Sequence, residues 1–245
     1  MINTNKTIVD LYKDGIENKQ VLNAKLVYQG GPLLTNVCVV TLFWGTFWQD
    51  PQRADLVQYI NNFFDTILTS PLMDQLSEYN VNSYTIGYGK RIGTLMHSSS
   101  SPIQQTTDQD IQQFLQQVIA AKEVPPATPN TLYFIYTPTG VTIQQNGSAS
   151  CSTFCGYHQT INNQIFYAVL PYPDCKGCVG NLTVYDAFTT TSSHELCEAI
   201  TDPIPGQGWY DQTNGEIGDI CAWKTKQIGL TVVQQEWSNK NNTCI

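Results

Sequence analysis

Apolar runs of strand character alternate along this chain with stretches of helical spacing, and that alternation constrains the fold more than any other feature. Asn36–Phe47 is rich in Val, Thr, Phe and Trp and reads as a central strand. Pro51 then opens a helical pattern through about Leu68, with Leu56, Ile60, Phe63, Phe64 and Ile67 at helical spacing. Val21–Tyr28 and Val81–Gly89 read as further strands, Thr107–Ala121 as an amphipathic helix, and Thr131–Tyr136 and Gly140–Gln144 as two strands. Cys151–Gln159 reads as a loop, Ile165–Leu170 as a short buried strand, Asp186–Thr201 as a helix and Gly229–Gln235 as a last strand. The expected fold class is α/β: a layered mixed sheet with flanking helices. Residues 1–20 are polar and are expected to form an N-terminal arm, with 21–245 as a single α/β domain.

Composition removes several function classes. The formal net charge is −8 and only 13% of residues are charged, so there is no basic footprint for nucleic acid. No run approaches the ~20 apolar residues of a membrane span. The eight cysteines form an even set. With sequons at Asn5, Asn146, Asn181 and Asn241, they favour an oxidising, secreted setting. The opening MINTNKTIVD carries no apolar signal region, so either a signal has been removed or the protein is intracellular, and removal is preferred. Cys151, Cys155, Cys175 and Cys178 cluster as C-x3-C and C-x2-C. Disulfides are preferred over a four-cysteine zinc site, and Cys38 and Cys197, inside apolar elements, are expected to be free thiols.

The chemistry concentrates in Ser193–Asp202. His194 and Glu198 are four residues apart, so on a helix they share a face and can hold one metal ion. The zincin pattern H-E-x-x-H places two histidines on zinc around a general-base glutamate. Here Glu198 replaces the second histidine, and a carboxylate is an acceptable ligand. The ordinary reading of a His-Glu pair is a solvated helix face, but acids crowd the following stretch: Asp202, Asp211, Glu216 and Asp219. Asp202, Glu216 and Asp219 are the candidates for a third ligand, and Asp219 is preferred because Gly218 and Cys221 flank it in a tight segment. Glu195 is the expected general base, and His158 the expected group for transition-state charge. His97, among serines, reads as surface. The hydroxyl run Thr189–Ser193 fits a helix first turn better than a nucleophile site, and neither a Gly-x-Ser-x-Gly elbow nor a phosphate-binding glycine loop is present.

Several segments resemble the EXORDIUM, or phosphate-induced, family. Val27–Thr35 (VYQGGPLLT), with Leu42–Phe47 following, is similar to the family's opening. Phe154–His158 is similar to its Cys-Gly-x-His segment and Asp174–Cys178 to its Cys-Pro-Gly-x-Cys segment, with Lys176 where proline is frequent. Ser193–Pro203 resembles Ser-His-Glu-Leu-x-Glu-Ala-x-Thr-Asp-Pro, and Glu216–Cys221 resembles Glu-Ile-x-Asp-x-Cys. The likeness runs in order across 27–237 and implies a secreted or cell-wall-associated protein, but little about reaction.

Three functions follow as expectations. The first is a secreted zinc-dependent hydrolase acting on a peptide or other extracellular substrate, with His194, Glu198 and Asp219 as ligands and Glu195 and His158 as catalytic groups. The second is a binding or cell-wall-associated protein with a structural zinc or calcium site. The third is a glycan-binding module in which Trp209, Tyr210 and Trp223 stack on sugars, against the plainer reading that they pack over the site.

Overall fold

A computed structural model describes the backbone of residues 8–10 and all of residues 23–245. The strands are β1 (Ile8–Asp10), β2 (Val27–Tyr28), β3 (Cys38–Trp44), β4 (Lys90–His97), β5 (Gln105–Thr107), β6 (Thr131–Tyr136), β7 (Thr142–Gln145), β8 (Ser148–Ala149), β9 (Phe154–Ile161), β10 (Ile165–Leu170), β11 (Trp209–Tyr210), β12 (Thr225–Ile228), β13 (Thr231–Gln234), β14 (Trp237–Ser238) and β15 (Thr243–Cys244). The helices are α1 (Ala54–Ile67), α2 (Pro71–Leu76), α3 (Asp108–Ala120), α4 (Lys176–Val179) and α5 (Val184–Thr201).

The main sheet has the order β1-β9-β10-β6-β3-β4. β10, β6, β3 and β4 run parallel, whereas β9 is antiparallel to β10 and β1 antiparallel to β9. The α/β expectation therefore holds, with a mixed sheet. Every residue of β6 is buried, as a strand covered on both faces requires. Alternation then sorts the side chains. Val39, Phe43, Leu132, Phe134 and Tyr136 join α1, α2 and α5 in one core. Val40, Leu42, Tyr133 and Ile135 meet Ile111, Phe114 and Leu115 of α3 in the other.

Three expectations fail, the first in part: of the expected strand Val21–Tyr28 only Val27–Tyr28 is a strand, and 23–26 are not. Val81–Gly89 is not a strand: Val81 and Tyr84 make an isolated bridge, and the strand begins at Lys90. β4 is the sheet edge and only partly buried, so its polar residues hide the pattern that betrays a buried strand. Cys151–Gln159 is not a loop: its second half is β9. Its cysteines and glycine imitate turn signals, but Cys151–Cys175 and Cys155–Cys178 are disulfides. Gly156 is there because α5 comes close; a Cβ on it would lie 2.6 Å from Thr191 Cγ2. Within the expected N-terminal arm, Ile8–Asp10 pairs with β9; the rest of 1–20, with 21–22, lies outside the described residues.

A third disulfide joins Cys221 to Cys244, and Cys38 and Cys197 are free thiols, Cys197 fully buried. Among the described residues no helix is long and apolar enough to cross a membrane.

Candidate functional site

The site is built on α5. Thr183 caps it, its side chain accepting from the Asp186 N–H at 3.1 Å. Every residue from Ala187 through Thr201 is buried, so this helix is enclosed rather than amphipathic. Its run of Thr and Ser has poor helix propensity. The hydroxyls lie in the helix middle, not in a first turn, and dock it to its neighbours. Thr189 donates to the Val232 carbonyl at 2.7 Å, Ser192 pairs with the Tyr136 hydroxyl at 2.9 Å, and Ser193 accepts from the Gln234 N–H at 2.9 Å. Tertiary packing thus holds a helix that local preference would not.

His194 and Glu198 meet as their spacing requires: Nε2 lies 2.8 Å from Glu198 Oε1. Yet that nitrogen makes no hydrogen bond. The other side of the ring is anchored. Nδ1 is 3.1 Å from Gln234 Oε1, which also accepts from the Trp223 N–H, while Gln234 Nε2 donates to the Gly218 carbonyl. The amide orientation is thereby set and its oxygen takes the Nδ1 proton, which turns Nε2 toward the Glu198 carboxylate. The Gly218 turn presses on the same ring; a Cβ there would sit 2.8 Å from its Cγ and Nδ1.

The remaining groups arrive from β9 and from the loop after α5. His158 Nε2 is 3.1 Å and 3.3 Å from the two Glu216 oxygens and 3.7 Å from Glu198 Oε2. Asp219 donates its backbone N–H to Glu198 Oε1 at 3.2 Å and accepts the Glu216 N–H on Oδ2 at 3.0 Å. Two groups of three donors have all their ligand atoms within 4.8 Å of one another: His194, Glu198 and Asp219, and His158, Glu195 and Glu198. Glu198 belongs to both. Asp202 belongs to neither, because its carboxylate takes the backbone N–H groups of Gly206 and Gln207 at 2.6 Å and 3.0 Å and closes the turn after the helix. Both Glu195 oxygens and Glu198 Oε2 are buried without a hydrogen-bond partner.

Electrostatically the pocket is overloaded with acid. Burial first, then the Glu198 charge, pushes Glu195 well above the usual carboxyl range, and the same two causes raise Glu216. Burial likewise raises Glu236 well above it, and Asp202 to about 7 against the pull of its backbone donors. Burial lowers His158 to about 4, with Glu198 opposing. Burial would lower His194 too, but the Glu198, Glu195 and Asp219 charges carry it well above its ordinary value. A fully buried set of this kind is satisfied by added positive charge, either a proton or a cation. The unshared Nε2, the unpartnered oxygens and the mixed imidazole–carboxylate donors fit a divalent ion.

Gln234 and Glu236 were not legible as site residues: they stand on and just beyond β13, and only the chain's path brings them to α5. His97 is not free surface; it is held by Glu123 at 3.2 Å and Ser100 at 3.0 Å. Trp209 donates to the Tyr79 carbonyl, and Tyr210 and Trp223 are buried, so these aromatics pack rather than present stacking faces.

Fold and site together define an α/β protein with an acid-rich, histidine-bearing buried helix. No family model matches the chain. Two curated proteins of Arabidopsis thaliana do. Protein EXORDIUM-like 5 is 25% identical over 238 residues, covering 80% of this chain and 63% of the relative. Protein EXORDIUM-like 3 is 23% identical over 241 residues, covering 80% of this chain and 68% of the relative. The chain is thus similar to EXORDIUM-like proteins over four fifths of its length. The chain spans about two thirds of their length, 63% and 68%.

Proposed function

We propose that this chain is a secreted, metal-dependent hydrolase acting on peptides, with zinc as its ion. The observation that carries the reading is the 2.8 Å approach of His194 Nε2 to Glu198 Oε1 with no hydrogen bond between them. His194, Glu198 and Asp219 would hold the ion, which when bound supplies Lewis-acid polarisation of a carbonyl. Imidazole among the donors favours zinc over calcium, which takes oxygen ligands.

Glu195 follows His194 on the helix and is unsatisfied within the pocket. With a cation bound to offset the burial and the crowding of charge that raise its proton affinity, the ionised carboxylate is placed to take a proton from the attacking water and return it to the leaving amine. His158, neutral at ordinary pH, accepts on Nε2 from the protonated Glu216 carboxyl and so carries its one proton on the unpartnered Nδ1, which can donate to developing negative charge. The disulfides and the family support secretion.

The test is elemental analysis of protein purified without chelator, paired with turnover on a peptide library. One equivalent of metal and a cleaved peptide are expected; protein without stoichiometric metal overturns the reading. The alternative is a structural ion in a binding protein, favoured by one fact: His194, Glu195 and Glu198 are each 0% exposed. Metal without turnover would select it.

A further inference from the structure

An ion on His194 and Glu198 engages only one side of the Glu198 carboxylate. Its two oxygens face different partners. Oε1 lies 2.8 Å from His194 Nε2, whereas Oε2 lies 3.7 Å from His158 Nε2 and accepts no hydrogen bond. Beside it Glu195 is fully buried with both oxygens unpartnered.

Helical geometry explains the split. His194 precedes Glu198 by four residues and Glu195 precedes it by three, so the two flank Glu198 along one face. On the His194 side stands the Gly218 turn, where a Cβ would be 2.8 Å from the imidazole. On the Glu195 side stands β9, where a Cβ on Gly156 would be 3.2 Å from Glu195 Oε1. β9 also carries His158. Two donor groups therefore stand back to back, His194, Glu198 and Asp219 on one side and His158, Glu195 and Glu198 on the other. Within each, the ligand atoms lie within 4.8 Å of one another.

Charge counts the same way. A divalent ion held by Glu198 and Asp219 is balanced by those two carboxylates, and Glu195 and Glu216 remain buried beyond them. Buried charge is tolerated when it is paired, and a second divalent ion pairs these two. One imidazole with two carboxylates suits zinc. The second ion is held more weakly than the first, because it shares Glu198 and is repelled by a like charge about 3.5–4 Å away, the spacing of two-metal sites.

We propose that His158, Glu195 and Glu198 form a second zinc site, filled only when zinc is in excess, with Glu198 bridging the two ions, and that filling it stops turnover. The second ion occupies the Glu195 lone pairs that otherwise take a proton from water. The loss of turnover rests on the hydrolase reading above; the sharing of Glu198 by two ions does not.

The full chain, loaded with one equivalent of zinc and freed of excess, is titrated with zinc by equilibrium dialysis. A second equivalent is expected, at least tenfold weaker than the first, and lost in Glu195→Gln and in His158→Ala. A wild type that saturates at one equivalent overturns the proposal, as does a second equivalent unchanged in either variant, which lies elsewhere. Cobalt(II) in the wild type gives a reading that needs no variant. Two ions bridged by one carboxylate couple magnetically, so the electron paramagnetic resonance signal per cobalt should fall at least twofold on adding the second equivalent. A total signal that simply doubles overturns the bridge. Peptide turnover, followed along the same zinc titration, should fall at least tenfold as the second equivalent binds, and undiminished turnover overturns the inhibition. Turnover with one equivalent only sinks the second site and leaves the hydrolase reading. Two coupled ions without turnover at either loading sink the hydrolase reading and leave the second site.

Discussion

His194 Nε2 and Glu198 Oε1 stand 2.8 Å apart, one helical turn from each other, without a hydrogen bond between them. Gln234 orients the ring by taking the Nδ1 proton at 3.1 Å while its own amide is fixed by Gly218 and Trp223. Replacing Gln234 with Ala should therefore weaken metal binding about 10–100-fold, the usual effect of removing a group that orients a ligand. Titration with zinc against a competing chelator reads this directly. His194→Ala and Glu198→Ala should abolish stoichiometric binding, and equal zinc affinity in Gln234→Ala and wild type would refute the positioning role.

Glu195→Gln separates chemistry from structure. The substitution keeps the shape of the side chain and removes its ability to accept a proton. Turnover of any cleaved peptide should fall about 10²–10⁴-fold, the range for a lost general base. Metal content and melting temperature should hold or rise slightly, because one buried acid has gone. A variant that retains turnover assigns the base elsewhere.

Gly156→Ala tests how tightly β9 seats on α5. The new Cβ would meet Thr191 Cγ2 at 2.6 Å, so strand or helix must shift. The expected cost is about 1–3 kcal/mol, typical of overpacking, seen as a lower denaturant midpoint at unchanged slope. Since the shift falls at Glu195, turnover should drop with it. Wild-type stability in this variant would mean that the contact is slack.

In chelator, stability should fall as pH rises from about 4.5 to 8. Glu195, Glu216 and Glu236 bind protons more tightly folded than unfolded, and Asp202 does so up to about 7. A raised acid contributes stability that is full below its unfolded value and lost as pH climbs through its folded one, at about 1.4 kcal/mol per group and pH unit. His158 opposes this below about 6.5, because its folded value of about 4 favours the neutral ring as pH rises. The acids outnumber it. Added zinc should flatten the profile by replacing the missing protons with positive charge. Melting temperature against pH, with and without zinc, checks both halves; a chelated protein that gains stability from pH 5 to 8 contradicts the charge balance.

The sequence by itself determined the alternation of strand and helix, the buried character of β3, β6 and β10, and the facing of His194 and Glu198. Each is local: a period of two or of 3.6, or a four-residue spacing, fixes which side chains share a surface. The Cys155–Gly156 pair misled at β9 because a glycine needed for close helix packing looks the same as a glycine needed for a turn. Polar β4 misled because an edge strand carries no burial signal. Only the tertiary structure decided the rest. It brought His158 from β9 and Gln234 from β13 to one helix, made Asp202 a turn brace rather than part of either donor group, and buried Glu236 beside them. Those placements are separated by up to 78 residues in chain order (His158 to Glu236), and burial among distant elements is what turns ordinary carboxylates into an unsatisfied, ion-seeking cluster.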